Sequence, residues 1–172
     1  RWAHRGTVCP RLQSLDVLVP LFVILILSLS VHEAAHAWTA DRLGDPTARL
    51  LGRLTLNPIA HIDWIGTVLF PLLAMLSGVP LLGWAKPVPV DTRSLKHPTR
   101  DFALIAAAGP ASNVLMAIAG AILLFLIPGV VPGDIAGRAV MTPLFQFLDM
   151  FVVINVLLAL FNMVPVPPLD GG

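Results

Sequence analysis

Charge is scarce in this chain: 12% of residues are Asp, Glu, Lys or Arg, against 56% hydrophobic, and the mean hydropathy is +0.84. A soluble domain cannot bury that much apolar surface, so the scarcity excludes one and leaves an integral membrane protein with several spans. Cysteine is nearly missing too. The single Cys9 excludes an internal disulfide, and in its polar leader it reads as incidental. Also missing are a basic cluster, a Gly-rich phosphate loop and an aromatic binding stripe, and the net charge is only +1, so nothing points to nucleic acid. No internal repeat is visible.

What the chain does have is His32-Glu33-Ala34-Ala35-His36, at the end of the apolar run 17–30. On an α-helix, residues four apart lie about 40° from one another round the axis, so both imidazoles project from one face, one turn apart. That is the spacing of a metal-ligand pair. The Glu follows the first His directly, which puts its carboxylate within reach of a water that a bound Zn²⁺ would activate. Burying such groups in an apolar helix is costly, roughly 2.5 kcal/mol or more for a carboxylate at mid-bilayer, and they are functional by default. The alternative, a pair of histidines that merely ends a span, leaves the Glu and the spacing unexplained.

In chain order, a polar leader over 1–16 carries Arg1, Arg5 and Arg11, and residues 17–40 are long enough to span a bilayer. The leader and this run resemble a signal peptide, but no small-residue cleavage site follows and the run leads into the metal motif, so it is read as retained. Residues 41–64 form a turn-rich polar loop in which 48–56 partly alternates, leaving a short strand or a plain solvated loop open. A strand edge there could take up a substrate segment by main-chain hydrogen bonds. His61 and Asp63 could be further polar site groups, although a lone loop His is more often solvated. Residues 65–82 are apolar but short, interrupted by Pro71, Gly78 and Pro80, and the loop 83–90 and a basic stretch, 93–100, follow. Asp101 can cap a third apolar helix running to about Ile127. Its Gly109-Pro110-Ala111-Ser112-Asn113 suits close helix packing and a kink, and Asn113 could hydrogen-bond across a helix pair. A Pro/Gly loop over 128–143 leads to the last apolar segment, 144–164.

Two histidines leave zinc short of a catalytic site, which typically has three protein ligands and a water. Asp170 is the best candidate for the third ligand. It follows the Pro-rich break Val164-Pro165-Val166-Pro167-Pro168, which could turn the backbone inward at a depth where irregular chain is tolerated only if buried or lining a wet cavity.

Together, His32-Glu33-x-x-His36, Gly109-Pro110-x-Ser112-Asn113 and Asn162-x-x-Pro165-x-Pro167-Pro168-Leu169-Asp170-Gly171 resemble the site-2 protease family of intramembrane zinc metalloproteases, in its short bacterial form. The resemblance covers nearly all of 17–172. It implies that His32, His36 and Asp170 bind one zinc ion, that Glu33 is the catalytic acid/base, and that Asn162 lies beside the site in support of substrate or transition state. The stretches 57–67 and 83–90 also resemble this form, although Trp64 stands where Pro is expected. The family normally continues past Asp-Gly-Gly, and the chain opens on Arg1 rather than Met. It therefore reads as a fragment: a leader, 1–16, and a single membrane-embedded metalloprotease domain, 17–172, truncated at its C-terminus.

Geometry constrains the topology. If all four apolar segments crossed the bilayer, the metal motif and Asp170 would lie toward opposite faces. A re-entrant 65–82 leaves three full spans and puts both ligand sets at one face. Charge does not choose, since either arrangement sets seven Lys/Arg against four. The ligands therefore decide. The expected fold is an all-α polytopic membrane protein of three to four transmembrane helices, with one re-entrant segment and a short strand-like loop. It would sit in the bacterial inner membrane with the site nearer the cytoplasm and the leader outside.

The expected chemistry is zinc-assisted hydrolysis of a peptide bond in or near a transmembrane segment of another membrane protein. A substrate helix hides its amides in intrachain bonds and must unwind locally first. The resemblance implies regulated intramembrane proteolysis. Two other classes remain: a membrane metal carrier, which would not need Glu33 as a base, and a non-catalytic scaffold or inactive homologue, which would tolerate loss of all four site residues.

Overall fold

A bilayer offers no partner to a bare amide, so a chain this apolar has to close its main-chain hydrogen bonds within helices. The computed structural model describes residues 15–70, 72–73, 85–127 and 135–164. In chain order its helices are α1, Leu15–Leu43; a single turn, α2, Thr47–Leu50; α3, Pro98–Leu126; and α4, Ile135–Asn162. Among the described residues three helices are long and apolar enough to cross a membrane, over Val17–Leu43, Pro98–Leu126 and Met141–Asn162. The protein is thus an all-α polytopic membrane protein. With 29 residues each, α1 and α3 run to about 43 Å at 1.5 Å per residue, more than the hydrocarbon core needs.

Local chemistry sets the helix ends. α1 stops at Gly44, whose φ of 109° carries the chain out of the helix. The Asp45 N–H donates to Ala40 O at 3.0 Å and the Gly44 N–H to Asp41 O at 3.3 Å, the paired bonds of a Schellman stop. α3 begins at Pro98, earlier than a cap at Asp101 would allow, because proline is suited to the first helical position. Asp101 instead reaches back to accept the His97 N–H at 2.9 Å. α4 begins at Ile135 and runs through Pro143, taking in much of what the sequence suggests is a loop.

The long helices alternate in direction. His32 and His36 of α1 meet Asn113 and Ile105 of α3, so rising number on one helix meets falling number on the other. On α3, Asn113 meets Asn155 of α4, while Gly120 lies against Phe151 and Val152, which makes that pair antiparallel as well. α1 and α4 therefore run the same way and end at the same face. They meet directly where Ser28 accepts from Asn155 and where Ile24, Leu25 and Leu29 pack with Ile154.

The connection between α1 and α3 is not confined to the membrane surface. Ala85 packs in the cluster of Ile24, Leu25, Leu29 and Ile154, the Val88 N–H donates to Glu33, Val90 packs against Ala40, Leu95 and Ile105, and the Asp91 N–H donates to Asp45. Residues 85–91 thus climb alongside α1 from its middle to its end. Irregular backbone at such depth is tolerated where protein or a wet cavity lines it; here Ala85 is buried, Val88 to Asp91 are half-buried, and Lys86 and Pro87 are exposed. At the top, the buried Asp45 also accepts from the Thr47 N–H at 3.0 Å and so ties both loop ends to the end of α1. Arg93, hydrogen-bonded to Asp91, holds that carboxyl below its ordinary range.

Stretch 48–56 takes the non-strand alternative: it is the turn α2 followed by bends, because Ala48 through Arg53 close i to i+3, i+4 and i+5 bonds rather than pairing with a neighbour. Of the expected re-entrant segment, only the short π-helix Trp64–Leu69 and a few residues after it are described, and 74–84 lie outside the described residues. Its ends are nonetheless fixed relative to each other, since the Lys86 N–H donates to His61 O at 3.0 Å. The chain leaves and returns at one point, so no net crossing occurs between them.

That closure predicts a labelling pattern. With Cys9 replaced by serine, single cysteines at the exposed Arg49 and Arg93 should react with a membrane-impermeant maleimide from the same side of oriented vesicles. Labelling from opposite sides would contradict it.

Candidate metal centre

The candidate site lies within the bundle. His36 is seven residues before the end of α1, hence about 10 Å inside it. Every fourth residue of α3 from Asp101 to Ala117 is buried: Asp101, Ile105, Gly109, Asn113 and Ala117. Period-four burial is what a helix gives when one ridge packs against a neighbour. The middle three members of that ridge face the histidines.

His32 and His36 are buried, with ring centroids 4.7 Å apart and planes at 78°. The Nδ1 of His36 lies 2.7 Å from the main-chain oxygen of Ile105, which can only accept, so the ring must donate there. The Nδ1 of His32 lies 2.5 Å from Oδ1 of Asn113. Each ring is thereby oriented through Nδ1, and the two Nε2 atoms converge on Gly109. A Cβ at that position would fall 2.5 Å from Nε2 of His32 and closer still to Nε2 of His36. Glycine is needed there for close approach rather than for backbone freedom.

Glu33 is buried beside the pair, and its Oε2 accepts the Val88 N–H at 3.2 Å. Position 88 lies between Pro87 and Pro89, neither of which has an N–H to give. The donor is therefore Val88, in the segment that climbs along α1.

The donor set suits a divalent ion that takes imidazole. Metal-bound histidines characteristically give their second nitrogen to a carbonyl or carboxyl partner, and both rings here are held that way. Among the described residues no cluster of three His, Cys, Asp or Glu side chains surrounds a metal position. Asp170, the candidate third ligand, lies outside the described residues. Asn162 closes α4, at the same face as the end of α1, and its Nδ2 donates to Leu158 O at 3.0 Å. It lines a cavity of about 810 Å³ with Phe102, Ala106, Pro110, Val114 and Met163. The cavity wall thus reaches Pro110, next to the glycine that receives the histidines.

His61 and Asp63 serve the loop. His61 is only 2% exposed, not solvated, because its Nε2 lies 2.8 Å from Thr55 O and its main-chain oxygen receives Lys86. Asp63 caps the π-helix by accepting from Ile65 and Gly66 at 3.0 and 2.7 Å. Sequence reasoning missed Val88 as a donor and Ile105 as an acceptor, which no pattern could reveal because both act through main chain. Gly109 and Asn113 were visible as a motif suited to packing; their contact with the histidines is the new fact.

Residues 20–172 match the family described as Peptidase family M50. The chain is 44% identical over 155 residues to the Bacillus subtilis (strain 168) protein named "Putative zinc metalloprotease YwhC", covering 90% of this chain and 67% of that one. It is 30% identical over 173 residues to "Putative zinc metalloprotease Rip2" of Mycolicibacterium smegmatis, covering 99% of this chain and 61% of the relative. Rip2 of Mycobacterium tuberculosis (strain ATCC 25618 / H37Rv) is 32% identical over 175 residues, with the same coverage of 99% and 61%. The chain spans about two thirds of the length of these curated relatives. No solved structure matches it.

Gly109→Ala tests the cradle. Alanine favours a helix interior over glycine by about 1 kcal/mol, so the helix should persist while the methyl group displaces both rings. Zinc content of the purified variant should fall well below that of wild type at unchanged helicity by circular dichroism. Equal zinc content would show that the rings do not meet over Gly109.

Proposed function

Since the chain belongs to peptidase family M50, the site-2 protease family, we propose that it is an intramembrane zinc metalloprotease that hydrolyses peptide bonds within or near transmembrane segments of other membrane proteins. The observation that carries this reading is the convergence of two buried, oriented imidazole Nε2 atoms beside Glu33, inside a membrane-spanning bundle. His32 and His36 would hold one zinc ion, with Asp170 as the third ligand. The common exit face of α1 and α4 supports that third assignment, since the chain leaves α4 at the end of the bundle where the histidines lie.

Zinc, when bound, supplies a Lewis acid that polarises the scissile carbonyl and brings the pKa of a water toward about 7. Glu33 would take a proton from the attacking water and return it to the leaving amine. The Val88 N–H, on Oε2, limits how far the carboxylate can rotate. Asn162 supports the substrate or the transition state from the cavity wall. The substrate segment has to expose its amide, so helix-breaking residues near the cut favour cleavage. Because the closed excursion leaves three crossings, the connection 41–97 and the leader lie on opposite sides. Residues 41–100 hold seven Lys/Arg against four elsewhere, which supports a cell-membrane protein with its site nearer the cytoplasm.

Glu33→Gln separates this reading from a metal carrier. Purified in detergent, the variant should keep about one zinc per chain, while cleavage of a model transmembrane substrate falls by about 10²–10⁴-fold, the usual contribution of a general acid–base group. Cleavage surviving at the wild-type rate would overturn the mechanism. Loss of zinc together with cleavage would remove Glu33's assigned role as base and make it a ligand.

A further inference from the structure

Behind His32 a line of buried polar groups crosses all three long helices. His32 Nδ1 meets Asn113 Oδ1 at 2.5 Å, Asn113 Nδ2 donates to Asn155 Oδ1 at 2.9 Å, and Asn155 Nδ2 donates to Ser28 Oγ at 3.0 Å and to the main-chain oxygen of Phe151 at 2.9 Å. Asn113, Asn155 and Ser28 are each 0% exposed. Asparagines in an apolar bundle can serve as plain interhelical glue. The direction of this line carries more than that.

An asparagine amide can be turned end for end, and a hydroxyl can donate or accept, so neither alone gives a chain of hydrogen bonds a sense. A main-chain oxygen can only accept. The Phe151 carbonyl therefore obliges Asn155 to present its NH₂ on that side and its Oδ1 toward α3. Asn113 has to answer with its own NH₂, since two amide oxygens at 2.9 Å would repel. Its Oδ1 is then left facing His32, and the ring must carry its proton on Nδ1. The lone pair consequently resides on Nε2, the atom that faces Gly109. Free imidazole prefers the opposite tautomer, with the proton on Nε2, so the relay imposes the form a metal requires.

We propose that Asn113 and Asn155 are positioning residues that set the tautomer of His32, the sense being fixed by the Phe151 carbonyl of α4. The proposal rests on the reading of His32 as a zinc ligand, but its structural part does not. His36 needs no relay because the Ile105 carbonyl acts on it directly. The relay also links the helix that carries the histidines to the one that leads toward Asp170. Slippage of α4 along α3 would break the bond to Asn155 and loosen one ligand before reaching the other.

The test is made on full-length protein in lipid, labelled with ¹⁵N-histidine. Only five histidines are present, so the His32 imidazole nitrogens can be assigned by their loss in His32→Gln. In metal-free wild type, ¹⁵N shifts should report a proton on Nδ1. Asn113→Leu and Asn155→Leu should each shift the population toward the Nε2–H form. Zinc affinity, by competition with a chelator, should fall in Asn113→Leu by about 10–100-fold, the usual effect of losing a ligand's hydrogen-bond partner. Asn113→Asp, made together with Asn155→Ala so that no amide oxygen faces the new carboxylate, keeps an acceptor toward His32 and should restore both the tautomer and most of the affinity, which a purely structural role would not do. It also keeps the test informative if a leucine variant does not fold. Retention of Nδ1–H in the leucine variants, or no rescue by Asp, would overturn the relay. If wild type bound no zinc yet the variants changed tautomer, the relay would stand and the protease reading would fall.

Discussion

The structure depends on a demand that follows from its solvent: every polar atom carried into an apolar bundle must find its partner within the protein. α1 brings two imidazoles, a carboxylate and a serine to membrane depth, and α3 and α4 answer with two asparagines and the main-chain oxygens of Ile105 and Phe151. Because those partners are oriented by their own bonds, satisfaction becomes specification. Both Nδ1 atoms face α3 partners, both Nε2 atoms meet over Gly109, and a side chain of any size at 109 would fill the space.

The same demand explains why the chain between α1 and α3 enters the membrane region at all. A buried carboxylate needs donors, and the Val88 N–H on Glu33 Oε2 is one of them. The segment 85–91 brings that N–H alongside α1, with Pro87 and Pro89 on either side contributing no amides that would themselves need partners. Its anchor points are also closed: Lys86 to His61 at one end and Asp91 to Asp45 at the other. The segment is therefore fastened along α1 at Glu33 and Asp45 rather than a free tether between spans.

Much of this was legible in the sequence because a 3.6-residue period is simple arithmetic. The His-Glu-x-x-His spacing, the apolar runs and the small-residue stretch at 109–113 pointed to the bundle and to two imidazoles sharing one helix face. Helix limits were less legible: Pro98 begins α3 and Pro143 sits inside α4, since proline at a first position and proline within a packed span look alike in a string of letters. The burial of His61 was hidden because it depends on Lys86, which is 25 positions away in the numbering. Asn155 and Ser28 were hidden for the same reason: an isolated polar residue in an apolar helix announces that a partner exists, but not which one.

The central claim is that His32 and His36 offer Nε2 to one zinc ion completed by a carboxylate. Zinc-edge X-ray absorption on the purified full-length protein tests it most directly. The account predicts about two imidazole nitrogens at roughly 2.0–2.1 Å with the remaining ligands oxygen at roughly 2.0–2.2 Å, and loss of an oxygen neighbour or of the metal in Asp170→Ala. A spectrum with no imidazole scattering, or a protein that holds no zinc when isolated without chelators, would contradict it.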